Sequence, residues 1–250
     1  MHPALATVDH RPFPLPAARW TWRQTWRDLL FAHWPVDADV LRPLIPDVLE
    51  IDTHAGQAWL GVVPFRMTGV MRRPLPDLPG ISAFPELNVR TYVRHGDRAG
   101  VWFLSLDATN ALAVWAARQW FHLPYHRAQM RLTADGAPDG EDIVYASDRR
   151  DRAASFHGRY GPTGPVTLAR AGTLDHWLTE RYGLFACSPR GVLSWTEVHH
   201  EPWPLQPAQA TIDSNSMGAP HGLSLDGPPA HLHFARRLDV VVWNPVTIDT

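Results

Sequence analysis

The apolar residues of this chain fall in short runs and alternations rather than in long helical repeats. Runs rich in β-branched and aromatic residues predict eight strands. They cover residues 58–65, 87–93, 101–106, 128–133, 143–147, 153–160, 191–199 and 238–243. The 24 prolines and 17 glycines punctuate the sequence and favour short strands over long helices. The turn-rich stretch between Thr133 and Ile143 predicts a hairpin.

Helical periodicity is confined to three short segments that follow capping residues. They are 38–45 after Asp37, 111–121 after Thr109 or Asn110, and 174–182 between Thr173 and a C′ glycine, Gly183. Few helices beside many strands predict one α+β domain over residues 1–250, dominated by antiparallel sheet. Residues 1–18 are expected to form an extended or flexible arm.

Polar and apolar side chains alternate around the second predicted strand. Glu86, Asn88 and Arg90 share one face, while Leu87 and Val89 take the other. A polar face bounded by apolar neighbours indicates that these side chains line a water-filled cavity. The alternative is that this face of the strand is exposed to solvent and that Glu86 and Arg90 carry no function. Arg90 is the arginine best placed to clamp a carboxylate with two parallel hydrogen bonds.

The composition removes several chemistries, because all 23 residues counted as lysine or arginine are arginine. A chain without lysine cannot form a side-chain imine with a ketone or pyridoxal phosphate, and it has no Walker A or kinase lysine. The 25 acidic residues bring the net charge to −2. No cluster of basic residues indicates binding to a nucleic acid or to a membrane surface. We therefore expect the partner to be a small molecule.

Cysteine and histidine give little support for a disulfide or a metal. Cys187 is the single cysteine, so no intramolecular disulfide can form. The pair His231 and His233 shares a strand face and His199 adjoins His200, yet two ligands do not make a zinc site. We expect no metal and no cofactor. With no apolar run near the length of about 18 residues that a membrane span needs, and no leader pattern at the start, we expect a cytoplasmic protein.

Two segments resemble the acetoacetate decarboxylase superfamily. FAHWPVDADVLRPLIPDVLEID at residues 31–52 resembles its strand-then-helix entry, and ARQWFHLPYHRAQMRL at residues 117–132 resembles its catalytic segment, in which a proline precedes two lysines. Pro124 is kept, and Tyr125 and His126 stand where the lysines would be. In those decarboxylases the first lysine forms an imine with the substrate and its neighbour lowers its pKa. The resemblance therefore implies a related fold without the imine chemistry.

Seven segments, in order along the chain, are similar to landmarks of the YqjF-like proteins, a branch of that superfamily without an established reaction. They are LLFAHWPV, AWLGVVPF, FPELNVRTYV, GVWFLSLDA, FHLPYHRA, ERYGL and HHEPWPL. This resemblance implies an α+β fold, mainly an antiparallel β-cone or barrel of the acetoacetate decarboxylase-like type with a few flanking helices. It also implies an enclosed pocket and a homo-oligomer.

The candidate site residues come from this resemblance and from strand alternation. Glu86 matches an active-site glutamate of the decarboxylases and Tyr125 stands at the place of the nucleophile, so these two are the candidate catalytic residues. Neighbours on a strand point to opposite faces, so Tyr125 and His126 are not both expected to line the pocket. Core packing is the alternative for His33 and a surface ion pair for Arg118. The candidate ligand-binding residues are Asn88, Arg90, Arg118, His126, His33, His200 and Trp203.

Three functions compete at this point. The first is binding of a small polar carbonyl or carboxylate compound in the cone without Schiff-base chemistry. The second is an imine-independent lyase, hydratase or decarboxylase in which Glu86 moves a proton and Tyr125 or Arg90 polarises a carbonyl of a small keto acid. The third is an oligomeric structural or interaction protein whose aromatic residues form subunit contacts.

Overall fold

The computed structural model describes residues 2–75, 82–110, 119–134 and 142–248, and most of them lie in strands. The strands are β1 (Trp22–Val36), β2 (Glu50–Ile51), β3 (Ala58–Arg72), β4 (Phe84–His95), β5 (Arg98–Ala108), β6 (Tyr125–Ala134), β7 (Ile143–Arg149), β8 (Ser155–Pro162), β9 (Gly183–Cys187), β10 (Leu193–His200), β11 (Gln206–Asn215), β12 (His231–Val242) and β13 (Val246–Thr247). The α-helices are α1 (Ala38–Leu41) and α2 (Leu174–Thr179), and short 3₁₀ turns cover Pro3–Leu5, Arg42–Leu44 and Ala219–His221.

Alternation of burial explains why these segments are strands. In β7, Ile143, Tyr145 and Ser147 are buried while Val144 and the other intervening residues are more exposed. The same period along β4 buries Leu87 on one face and Glu86 on the other. Burial on both faces means that β4 is covered on both sides, whereas β7 is covered on one side.

The strands join in the order β13-β10-β9-β5-β6-β7-β8-β11-β12-β1-β3-β4-β2, and the further pairings β4–β5 and β10–β12 curl this sheet on itself. The pairings trace two circuits among the described strands that share β1, β3, β4, β5 and β12. One is completed by β9 and β10, and the other by β6, β7, β8 and β11. The pairings of β5 with β6 and with β9 are parallel.

Each circuit has its own apolar cluster, supplied by alternate residues of the shared strands. Leu30 and Ala32 of β1 belong to the cluster that also holds Tyr145 and Tyr160 of β7 and β8. Phe31 of β1 belongs to the other cluster, which faces β10 and the end of β12. The shared strands therefore form a wall between a packed interior and a second interior that holds the site described below.

The predicted strands are present in the structure, most of them longer than predicted, and the hairpin between β6 and β7 is confirmed by the pairing of Thr133 with Val144. The segment after Asp37 also forms, as α1 followed by the 3₁₀ turn. Of the helix predicted at 111–121, residues 119–121 are helical and 111–118 lie outside the described residues.

The prediction for 174–182 is correct at its start, where the Thr173 hydroxyl accepts a hydrogen bond from the His176 amide. Its end is wrong, because α2 stops at Thr179 and Gly183 begins β9. Gly183 is required for a different reason: a Cβ atom there would overlap the indole ring of Trp195. The prediction took a glycine needed for close packing as a helix terminator.

The first residues of the chain pack against the outside of β10. The Arg11 guanidinium donates to a Glu197 carboxylate oxygen at 2.7 Å and to the Val198 carbonyl at 2.8 Å. The His10 ring lies 2.9 Å from the His200 carbonyl oxygen. Within the described residues, no helix is long and apolar enough to cross a membrane.

Candidate functional site

A cavity of about 180 Å³ lies inside the circuit formed by β1, β3, β4, β5, β9, β10 and β12. Each of these strands contributes lining side chains, and Tyr125 of β6 and the connection from α2 to β9 complete the wall. A cavity of this volume holds several water molecules, which suits a small ligand. The lining residues with polar groups include Gln24, Glu86, Asn88, Arg90, Tyr125, Thr179, Arg181, Thr196, His200 and Trp203.

Glu86 and Tyr125 form a hydrogen-bonded pair in the wall of this cavity. The Tyr125 hydroxyl donates to Glu86 Oε2 at 2.7 Å, and both side chains are buried. Burial raises the pKa of Glu86 to about 8; the hydrogen bond from Tyr125 opposes this rise and nearby Asp107 adds to it. Burial together with the Glu86 charge holds the pKa of Tyr125 well above its usual range. At neutral pH the pair is therefore a carboxylic acid beside a phenol, and both can donate a proton in a hydrogen bond.

The backbone at Glu86 is fixed from the packed side of the wall. The Tyr145 hydroxyl donates to the Glu86 carbonyl at 2.7 Å and lies 3.3 Å from the Phe65 carbonyl, which belongs to the residue paired with Glu86. Burial raises the pKa of Tyr145 well above its usual range, so this hydroxyl remains a donor. A rigid strand at this point positions the carboxyl group of Glu86.

Arg90 is a buried guanidinium without an acidic partner among the described residues. It is 8% exposed, and its Nη2 lies 3.4 Å from both the Tyr92 hydroxyl and the Leu178 carbonyl. Its Nε–H has no hydrogen-bond partner within the described ranges, and the guanidinium carbon lies 5.1 Å from the centre of the Phe31 ring. A buried cation is costly unless it is paired, so this end of the cavity favours an anionic group.

Arg181 lies in the same wall but is neutralised. Its Nη1 donates to Asp52 at 2.7 Å and its Nε donates to the Trp177 carbonyl at 2.7 Å. Burial lowers the pKa of Arg181, and the Asp52 carboxylate opposes that change. Its Nη2 is buried without a partner in the part of the chain that the structure describes, and the ion pair with Asp52 leaves Arg181 with little net charge toward the cavity.

Three further buried polar atoms of lining residues lack a partner among the described residues. They are Asn88 Oδ1, Thr196 Oγ1 and Trp203 Nε1. Native proteins satisfy most buried polar groups, and five of the fifteen unpartnered buried side-chain atoms among the described residues belong to residues that line this cavity. With Arg90 and Arg181, these atoms provide mostly donors, which match a ligand rich in acceptor oxygens.

His200 and Trp203 are held in the wall by the residues around Glu180. One Glu180 carboxylate oxygen accepts from the Trp203 amide at 2.8 Å, and the other forms a short hydrogen bond with the Tyr182 hydroxyl. The His200 ring stacks on Tyr182 with ring centres 4.7 Å apart. Burial lowers the pKa of His200 to about 3, so this imidazole is neutral at physiological pH.

The structure brings six of the predicted site residues to this cavity: Glu86, Asn88, Arg90, Tyr125, His200 and Trp203. His126 is on the opposite face of β6 from Tyr125, with its ring 3.9 Å from Asp151. His33 is buried behind Arg90, where its Nε2 lies 2.6 Å from the Tyr92 hydroxyl, and it does not reach the lining. Arg118 lies outside the described residues.

Sequence reasoning missed Arg181, Thr196 and the aromatic residues Trp22 and Phe84. Arg181 stands inside the landmark ERYGL and Thr196 inside a predicted strand, but neither pattern indicates which strands close the circuit. Of the histidines considered for zinc, His231 and His233 lie 3.8 and 3.5 Å from Asp175, whereas the His200 ring lies 2.7 Å from the Glu201 carbonyl oxygen. Within the described ranges, no group of three or more His, Cys, Asp or Glu side chains is placed to hold a metal ion.

Comparison with known proteins agrees with the sequence resemblance. The model of the DUF2071 family, described as an uncharacterized conserved protein, matches residues 23–239. The uncharacterized protein YqjF of Bacillus subtilis is 46% identical over 230 residues, which are 92% of this chain and 93% of that protein.

Solved structures give the fold. The enduracididine biosynthesis enzyme MppR, complexed with pyruvate, matches with a TM-score of 0.65 at 13% identity, covering 96% of this chain and 93% of that one. Acetoacetate decarboxylase from Legionella pneumophila matches with a TM-score of 0.63 at 14% identity, with the same coverage. An acetoacetate decarboxylase-like enzyme from Sphingomonas wittichii matches with a TM-score of 0.62 over 93% of this chain and 94% of that one, at 14% identity. The predicted acetoacetate decarboxylase-like fold is confirmed.

Proposed function

The chain belongs to the DUF2071 family of uncharacterized conserved proteins, and from that premise we propose that its cavity binds a small organic carboxylate or carbonyl compound without forming an imine. The observation that carries the proposal is Arg90, a buried cation in the cavity wall with no acidic partner among the described residues. A ligand carboxylate in contact with the guanidinium group would supply the missing charge.

The rest of the lining supports the same class of ligand. Because Glu86 is protonated at neutral pH, it does not compete for Arg90 as an anion, and it offers a proton to a ligand oxygen. Arg181 and Trp203 add donors for further oxygens. MppR, a structural neighbour, is complexed with pyruvate, a small oxo acid. The chain has no lysine, so an imine to a side chain is excluded here.

Calorimetric titration with acetoacetate and with its methyl ester tests the charge argument. Wild type should prefer the acid, and Arg90→Met should lose that preference while keeping the ester affinity. Arg131→Met, at an exposed position on β6, is the matched control and should leave both affinities unchanged. Equal affinity of wild type for acid and ester would overturn the proposal.

Borohydride treatment in the presence of acetoacetate tests the imine-free part. Intact-mass and peptide analysis should find no adduct on any side chain. An adduct anywhere except the N-terminal amine would contradict the reasoning from the missing lysines.

As a second candidate we propose that the protein is an imine-independent lyase, hydratase or decarboxylase, favoured by the Glu86–Tyr125 pair. A protonated Glu86 can give its proton to a ligand carbonyl oxygen while the electrons of a breaking bond move toward that oxygen: either a C–C bond breaks and CO₂ leaves, or water takes the proton of the adjacent C–H group. The resulting enol then takes a proton from water at carbon and returns its hydroxyl proton to Glu86. Wild type should then accelerate deuterium incorporation next to the carbonyl of acetone or pyruvate, measured by NMR in D₂O, and Glu86→Gln should not. Equal exchange rates for wild type and Glu86→Gln would contradict the catalytic role of Glu86, and ligand binding would be the remaining proposal.

A further inference from the structure

We propose that the ligand class of this cavity is a carboxylic acid with an apolar tail, its carboxylate at Arg90 and its aryl or alkyl tail toward Trp22. This inference rests on the proposed function and deepens it. It comes from the order in which polar and apolar side chains follow one another through the cavity.

A single strand displays that order. Phe84, Glu86, Asn88 and Arg90 occupy successive positions on one face of β4, and all four line the cavity. At about 3.3 Å per residue, the Cα atoms of Phe84 and Arg90 are roughly 20 Å apart and those of Glu86 and Arg90 roughly 13 Å apart. The lining therefore changes from an aromatic ring, through an acid and an amide, to a cation along one line.

The neighbouring strands repeat the aromatic end. Met67 of β3 pairs with Phe84 and also with Trp26 of β1, so these three side chains adjoin across adjacent strands. Trp22 lies further along the same face of β1, and the ring centre of Phe121 is 6.0 Å from that of Trp22. All five side chains line the cavity.

Exposure identifies which end is open. The Trp120 ring, whose centre is 5.9 Å from that of Trp22, is 50% exposed, and Trp22 itself is half-buried. At the other end, Arg90, Arg181 and Thr196 are all buried. A charged head group must therefore enter first and reach the closed end, while the remainder of the ligand lies among the aromatic rings at the mouth.

The order of polarity determines which ligands bind well. A short acid such as pyruvate satisfies the closed end but leaves the aromatic mouth in water. Each methylene group added to the tail and removed from water is expected to lower Kd about fourfold until the tail passes the mouth. A polar tail gains less there, because the lining at the mouth is chiefly apolar apart from Gln24. The exposed Arg72 guanidinium lies above the Trp22 and Trp120 rings at this end.

Calorimetric titration of the full chain with straight-chain 2-oxo acids, from pyruvate to 2-oxooctanoate, and with phenylpyruvate tests this. Kd should fall about fourfold per methylene, and each methyl ester should bind more weakly than its acid. Trp22→Ala should flatten the dependence of Kd on tail length. The control Trp20→Ala changes an indole that is not part of the lining and instead stacks on Arg73, and it should keep the full length dependence.

Two failures are distinguishable. Acids that bind more tightly than their esters but with a Kd independent of chain length would overturn the apolar-tail inference and leave the proposed function standing. Acids that bind no more tightly than their esters would overturn both. The length series on wild type decides the matter even where Trp22→Ala does not fold, and Trp22→Leu then serves as the variant.

Discussion

The raised pKa of Glu86 makes a quantitative prediction about folding stability. In the unfolded chain a glutamate titrates near 4.5, whereas burial raises the pKa of folded Glu86 to about 8. Between these values the folded state holds a proton that the unfolded state has lost, so the free energy of unfolding falls as the pH rises. At high pH the full effect is on the order of 5 kcal/mol.

Glu86→Gln removes this titration and keeps the shape of the side chain. The variant retains an oxygen that accepts from the Tyr125 hydroxyl, so its stability at pH 5 should be close to that of wild type. Its stability advantage over wild type should then grow by about 2 kcal/mol between pH 6 and pH 8. The buried histidines, such as His200 with its pKa lowered to about 3, also affect the pH dependence. Their contribution cancels because it is common to both proteins.

Urea unfolding followed by the fluorescence of the 12 tryptophans measures this difference at each pH. Glu50→Gln is the control: Glu50 is exposed at the edge strand β2, so its substitution should give a difference from wild type that stays constant with pH. A Glu86→Gln advantage that is the same at pH 6 and pH 8 would refute the raised pKa. It would also remove the argument that Glu86 is a neutral acid in the cavity.

Three further predictions use the same unfolding assay. Tyr125→Phe removes the hydrogen bond that lowers the pKa of Glu86, so the pH at which the Glu86 effect levels off should move above 8, at a cost of about 1 kcal/mol in stability; an unchanged profile contradicts this. Arg149→Met leaves buried Asp107 without its 2.7 Å ion pair and should cost about 3–5 kcal/mol at pH 8. The loss should be smaller at pH 5. Burial raises the pKa of Asp107 to about 6 although Arg149 opposes the rise, so at pH 5 most of the carboxyl is protonated and the ion pair contributes little. A loss that is independent of pH would contradict this. Thr173→Ala should cost about 1 kcal/mol through the lost cap of α2, whereas Thr173→Ser should cost little, and equal losses would assign the effect to packing.

The strands that the pattern predicts and the strands that it misses differ in one physical respect. β7 is predicted because its buried and exposed residues alternate. In β1 burial does not alternate: residues 22–27 are all half-buried, and residues 28–34, which start at the bulge marked by the φ of 52° at Asp28, are all buried. β11 carries few apolar residues and is held mainly by backbone pairing with β8. Local patterning identifies strands with two distinct faces, and tertiary contacts form the others.

The candidate site divides in the same way. Glu86, Asn88 and Arg90 lie on one strand, so their alternation alone puts them on a common face. Tyr125 required the family resemblance, because a single tyrosine after a proline has no periodicity. Arg181 comes from a connection nearly a hundred residues further along the chain, and its place beside Arg90 depends on the parallel pairing of β5 with β9. No local pattern contains that pairing.

The two interiors of the fold satisfy their polar groups differently at the wall that they share. On the packed side, the hydroxyls of Tyr145 and Tyr160 donate to the carbonyls of Glu86 and Asp28 at 2.7 and 2.9 Å. On the cavity side of the same wall, Asn88 Oδ1 and Arg90 Nε are buried without a partner in the described ranges. Each such group costs about 1–3 kcal/mol relative to a satisfied one. Unpartnered buried atoms also occur away from the cavity, as at Trp59 Nε1 and Trp195 Nε1, so the charge of Arg90, and not the number of such atoms, is the argument for the proposed ligand.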